Sequence, residues 1–346
     1  MLLMEGRAPE QGVPARLPRL GFLGVGWIGR ARMEALARSG AAEIAVLCDS
    51  SPDNLASAQA SAPTALQTAS FDAMLDQDID GVVIATPSAL HAEQSLRALA
   101  RGKAVFCQKP LGRDAREAAG VVDAARQADR LLGVDLSYRF TQGAQAIKAL
   151  LAEGALGQVQ AVDLVFHNAY GPDKAWFYDP AQSGGGCLVD LGIHLVDLAL
   201  WALDFPEVVD ARGHLFAKGR RFADRAAEVE DLAFATLVLA NGTVVRLACS
   251  WHLHAGQEAE ISADFHGVEG GASLRNVAGS FYDFAAWSHR GTSRTALTEP
   301  PDDWGGGAVT DWARRLARSP GFDPVSERFV ETALILDRIY DSADHQ

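Results

Sequence analysis

The first fifty residues hold the feature that most narrows the fold. An apolar run at residues 20–23 leads into Gly24-Val25-Gly26-Trp27-Ile28-Gly29, a helical stretch follows as far as Gly40, and residues 43–48 form a second apolar run with Asp49 at its end. Glycines at this spacing alone mark only a turn. Flanked by strand, helix and strand-end acid, they predict a βαβ unit that receives a dinucleotide. Gly24 permits a tight turn, Gly26 lets backbone approach a pyrophosphate, Gly29 brings helix close to strand, and the helix start offers free N–H groups to the anion. Asp49 stands twenty residues beyond Gly29, where a carboxylate accepts from an adenosine ribose and repels a 2′-phosphate. Ser50, Ser51 and Pro52 supply no arginine to accommodate that phosphate, so NAD is expected in preference to NADP.

The alternation continues with a short helix at 71–75, strands at 80–85, 104–107 and 131–135, and helices at 90–101 and 114–128. Strands alternating with helices imply a doubly wound parallel sheet whose ligand crevice lies at the carboxyl ends of its strands. Two loops at those ends, Thr86-Pro87-Ser88-Ala89-Leu90-His91 and Gln108-Lys109-Pro110, should face the crevice. A lysine in a partly dry site stabilises a developing alkoxide; the alternative is a solvated loop lysine.

A second constellation is SGGGCLVDLGIHLVD at residues 183–197. Behind Gly184, Gly185 and Gly186, the residues Asp190, His194 and Asp197 fall at offsets of four and three, on one face of a helix, with leucines on its other sides. A carboxylate and an imidazole can orient and remove a proton. The plainer alternative is a capped helix whose polar groups satisfy only backbone.

Past residue 135 the pattern becomes α+β. Strands are expected at 158–167, 208–216, 258–265 and 280–287, and an Asn241-Gly242 hairpin joins 231–240 to 243–251. Consecutive strands imply a mostly antiparallel open sheet, covered on one face by helices at 141–153 and 188–203. Tyr170, Trp176, Phe177 and Tyr178 lie ahead of the glycine run, either to stack on a sugar ring or to pack their own loop. Residues 291–308 read as a loop, and Asp323-Pro324 starts a last helix.

A net charge of −13 without a basic run argues against nucleic acid or an anionic membrane as partner and leaves small diffusible substrates. Cys48, Cys107, Cys187 and Cys249 form no CxxC pair, which points to a reduced, cytoplasmic setting. His252 and His254 have no third ligand at metal spacing, so no metal is expected. Residues 1–17 read as a polar, proline-rich flexible arm without a signal-peptide core, and no later stretch is expected to reach membrane-spanning length.

Three segments in this order, GVGWIGR at 24–30, TPSALH with QKPL between Thr86 and Leu111, and SGGGCLVDLGIHLVDL at 183–198, resemble the glucose-fructose oxidoreductase, inositol dehydrogenase and rhizopine catabolism family, Gfo/Idh/MocA. The resemblance runs over about residues 20–340. It implies an NAD-binding Rossmann domain at 18–138 and a substrate and oligomerisation domain at 139–346, with the last helix, about 324–341, packing back on the first. It implies hydride transfer between a nicotinamide and a secondary hydroxyl or ketone of a sugar, cyclitol or related polyol, in a homodimer or homotetramer. The alternatives are a glycosidase acting by transient oxidation and a non-catalytic dinucleotide sensor. Lys109, Asp190 and His194 become the expected catalytic residues. The expected cofactor contacts are Gly24, Gly26, Trp27, Ile28, Gly29, Asp49, Ser50, Thr86, Pro87, Ser88, His91, Gln108 and Lys109. Arg139, Tyr170 and Trp176 join Asp190 and His194 as expected substrate contacts. Gln108 departs from the family, which carries glutamate there.

Overall fold

A computed structural model describes residues 16–302 and 304–344; most of the expected arm, residues 1–15, lies outside them. The first sheet is laid down by β1 (Arg19–Leu23), α1 (Trp27–Ser39), β2 (Glu43–Cys48), α2 (Pro52–Gln59), β3 (Leu66–Thr68), α3 (Phe71–Leu75), β4 (Gly81–Ile84), α4 (Ser88–Ala100), β5 (Ala104–Cys107), α5 (Ala115–Ala128) and β6 (Leu132–Val134). Its six parallel strands run in the order β3-β2-β1-β4-β5-β6. The order reverses between β1 and β4, and a ligand crevice opens at such a reversal. β1, β4 and β5 are almost wholly buried, as apolar parallel strands covered on both faces must be.

The chain then adds α6 (Gln142–Ala152), β7 (Val159–Asn168), α7 (Pro180–Ser183), α8 (Ile193–Ala202), β8 (Val208–Ala217), β9 (Arg220–Arg221), β10 (Leu232–Leu239), β11 (Val244–Ser250), β12 (Ala259–Gly267), β13 (Gly271–Asn276), β14 (Phe284–Arg290), β15 (Ser293–Thr298), α9 (Gly307–Arg318) and α10 (Arg328–Asp344). These nine strands form one sheet, β15-β14-β13-β12-β7-β11-β10-β8-β9, antiparallel except where β7 meets β11. Along β10 buried and accessible residues alternate, because one face packs under helices and the other does not. α6, α8 and α10 cover that inner face.

α2, β3, β9 and β13 were not expected, and β15, α9 and one helical run also differ from expectation. β15 lies where a loop was expected; its residues are nearly all accessible, so no apolar alternation marks it. α9 was not foreseen, and it packs on the first sheet, with Trp312 inserted beside Phe106 at 5.6 Å between centroids. A Cβ at Gly81 or Gly133 would overlap the Trp312 ring. The helical run Pro180–Ala202 reaches spanning length and apolarity, where no such stretch was expected, and 89% of its apolar window is buried inside the protein. α10 packs against α5, α8 and β8 and so touches both sheets' layers.

Candidate active site

Lys109 leaves the end of β5 and crosses to the second layer. Its Nζ donates to Asp190 Oδ1 at 2.6 Å and to the Asp190 carbonyl at 2.8 Å. The other carboxylate oxygen accepts from Trp251 Nε1 at 3.1 Å. The Lys109 and Asp190 side chains are each largely buried yet reachable.

The segment carrying Asp190 is not the regular α-helix that its spacing suggests. Residues Leu188–Gly192 form a π turn that passes into α8. An inserted residue of this kind rotates the later side chains about the helix axis, and such bulges favour functional sites. Asp190 therefore turns to Lys109 and Trp251. The imidazole of His194 lies edge-on to Tyr138, 4.9 Å between centroids, and tilted against Phe166. Asp190 was expected to orient His194; its two oxygens are engaged elsewhere.

His194 is buried and its Nδ1 has no hydrogen-bond partner. Burial, and then the charges of Lys109 and Arg32, hold its pKa well below 6.5. The ring is consequently neutral at neutral pH, ready to accept a proton.

A buried carboxylate missed in the sequence fixes this segment. Glu230 accepts from the N–H groups of Gly186 and Leu188, at 3.0 and 2.8 Å, and from the Tyr340 hydroxyl at 2.9 Å. A Cβ at Gly186 would overlap the Glu230 carbonyl, which accounts for that glycine. In sequence Glu230 looks like any surface acid. Trp251, also unforeseen, joins the site to the aromatic loop: Phe177 and Tyr178 pack edge-on against it. Trp176 stacks on Phe177 at 3.8 Å, and Tyr170 is half exposed against Phe281.

At the nucleotide end, Gly24 has φ 84° and a Cβ there would come within 2.6 Å of the Ala85 carbonyl. Gly26 caps α1 without a side-chain hydrogen bond, the first turn carries no acid, and a Cβ at Gly26 would meet only Asn54 Nδ2, at 3.8 Å. That cradle fits a pyrophosphate. Asp49 accepts from Val25 N and Ser51 N, both at 2.8 Å, so it also braces the glycine turn. Trp27 and Ser50 are exposed beside it, and Ile28 is half-buried.

Several expected contacts serve other partners. His91 has Nδ1 2.6 Å from the Pro110 carbonyl and Nε2 2.7 Å from that of Thr86, so it ties the two crevice loops together instead of reaching a cofactor. Thr86 Oγ1 donates to Gln94, Pro87 starts α4, and Ser88 is buried. Gln108 donates to Asp135. Arg139 grips buried Asp197 with two nitrogens and lies over Phe205; an anion removed from water needs this cation, which leaves it unavailable to substrate. The four cysteines are free and buried, and the described residues contain no cluster able to hold a metal.

Comparison with known proteins places both halves of the chain in one family. Residues 18–136 match the family model described as an oxidoreductase family with an NAD-binding Rossmann fold, and residues 144–273 match the GFO/IDH/MocA C-terminal domain. The chain belongs to the Gfo/Idh/MocA family. It is 29% identical over 246 residues to D-glucoside 3-dehydrogenase of Escherichia coli, spanning 67% of this chain and 69% of that one. It is 26% identical over 316 residues to inositol 2-dehydrogenase 3 of Saccharopolyspora erythraea, spanning 91% and 84%. A solved levoglucosan dehydrogenase shares the fold with a TM-score of 0.79 at 23% identity, over 95% of this chain and 97% of that one. The chain is a nicotinamide-dependent oxidoreductase.

Proposed function

We propose that the enzyme oxidises a secondary hydroxyl of a sugar, cyclitol or related polyol, or reduces the matching ketone, with NAD preferred over NADP. The bridge from Lys109 to Asp190, beside a neutral buried imidazole, carries this reading. The names of the relatives, a glucoside dehydrogenase and an inositol dehydrogenase, support the substrate class. Asp49 at the end of β2 supports NAD, since its carboxylate would repel a 2′-phosphate.

The bound nicotinamide supplies the hydride acceptor. His194 takes the hydroxyl proton as the carbinol hydrogen leaves as hydride, so a C–H and an O–H bond break and a carbonyl forms. The Lys109 side chain donates to the oxygen on which charge develops, and Asp190, itself held by Trp251, keeps Lys109 aimed. Aromatic rings around Trp251 offer an apolar face to a sugar ring. Residues 18–138 serve as the nucleotide domain and 139–346 as the substrate domain. The outer face of the nine-stranded sheet joins two or more copies.

NADH absorbance followed across sugars, cyclitols and glycosides tests the reading. Net NADH with a polyol supports it. Glycoside cleavage without net NADH would replace it with transient oxidation, and nucleotide binding without any turnover would make the chain a sensor.

A further inference from the structure

Behind the Lys109 loop lies a buried polar network that the catalytic reading does not use. Arg32, on α1, is almost inaccessible; its Nε donates to Asp135 Oδ2 at 2.5 Å and its Nη2 to Ser137 Oγ at 3.1 Å. Asp135 is equally buried and accepts from Ser137 Oγ at 2.9 Å and from the Gln108 amide. The guanidinium lies over the Trp304 ring at 4.6 Å. Trp304 in turn meets Tyr138, the ring that supports His194. Gln108 directly precedes Lys109.

The charges in this network balance only with an amide at position 108. Arg32 and Asp135 neutralise each other, and Asp135 needs donors for its remaining lone pairs. A glutamate at 108 would set a second carboxylate against the first beside a single cation, and one of the two would have to take up a proton.

We propose that Arg32, Asp135 and Gln108 form one positioning unit, with the amide at 108 matched to the carboxylate at 135, that sets α1, the Lys109 loop and the Tyr138 wall of His194 in a single geometry. The unit touches the nucleotide helix at one end and the supports of both proposed catalytic side chains at the other. This inference rests on the roles given above to Lys109 and His194.

The test is a swap cycle of Gln108→Glu, Asp135→Asn and the double variant, read by kcat, KM, NADH affinity and melting temperature. Each single change should lower kcat about tenfold or more, because it leaves a buried group mispaired. The double variant restores one carboxylate to the one cation, although the Arg32 Nε and the 108 side chain share Asp135 Oδ2, so kcat should recover in part, to at least about tenfold above the product of the single changes. A double variant as poor as the product of the singles overturns the proposal. So does a pair of singles that lowers the melting temperature and leaves kcat unchanged, since that is a purely structural role. Should the parent turn over no polyol, the same cycle read in NADH affinity still tests the unit: recovery in the double variant keeps it while the catalytic reading falls.

Discussion

A neutral histidine in a dry site stays unprotonated to lower pH than an ordinary one, and is a weaker base for the same reason. His194 has its pKa held well below 6.5, first by burial, so the acid limb of kcat/KM should fall below pH 6.5; a limb centred at 6.5 or above would show a solvated ring. The same shift links to stability. The unfolded ring protonates near pH 6.5 while the folded one stays neutral, so the unfolded state binds more protons below that point, and stability falls as pH drops through it. The loss approaches about 1.4 kcal/mol per pH unit for one such histidine, and denaturant midpoints for His194→Asn should show a correspondingly shallower slope between pH 6.5 and 5. His194→Ala and Lys109→Met should each cost about 10²- to 10⁴-fold in kcat, with NADH affinity by fluorescence titration changed less than about threefold. Full turnover in either variant removes that residue from the mechanism. Asp49→Ser should narrow the preference for NAD over NADP, read as the ratio of kcat/KM values.

At the scale of the element, the strongest prediction concerns the start of the segment that carries Asp190 and His194. Glu230→Ala leaves two N–H groups and the Tyr340 hydroxyl without their acceptor. Unpaired buried donors cost about 1–3 kcal/mol each, so chemical denaturation should show a loss of about 3 kcal/mol or more, and an unchanged midpoint would show that the π turn holds itself. The nucleotide βαβ unit was legible in sequence because every requirement there is local: Gly24, Gly26 and Gly29 act within one turn of chain. Lys109 and Asp190 were legible as polar residues at a strand end and on a helix face. The π turn was not, since Leu188–Gly192 reads as an ordinary helix until Glu230, Lys109 and Trp251 are in place around it. His91, Gln108 and Arg139 announce their chemistry but not their partners, and the Pro110 carbonyl, Asp135 and Asp197 that claim them become neighbours only through tertiary packing. α9 was hidden by its glycine-rich approach, and β15 by its exposure on both sides.

At the scale of the whole molecule, the nine-stranded sheet sets the last expectation. Helices α6, α8 and α10 bury one face, while the other presents Phe234, 44% exposed, in the middle of β10. Across the strands Phe234 faces Ala248 and His214, and the same face carries the Asp163–Arg246 and Asp264–Arg275 ion pairs. An exposed aromatic between Ala248 and His214, rimmed by pairs that already neutralise their charges, suits a self-complementary contact more than a fully hydrated surface. Pairing must also overcome the repulsion between two chains of net charge −13, so association should strengthen with moderate salt, which screens that repulsion. Light scattering on the parent protein should give a dimer or tetramer, and Phe234→Lys should shift it to monomer because a lysine on each copy would be buried without a partner. NADH affinity should persist in that variant, since the nucleotide crevice lies at the reversal between β1 and β4 on the other sheet. A monomeric parent, or an oligomer that survives the substitution unchanged, places the contact elsewhere or nowhere on this face.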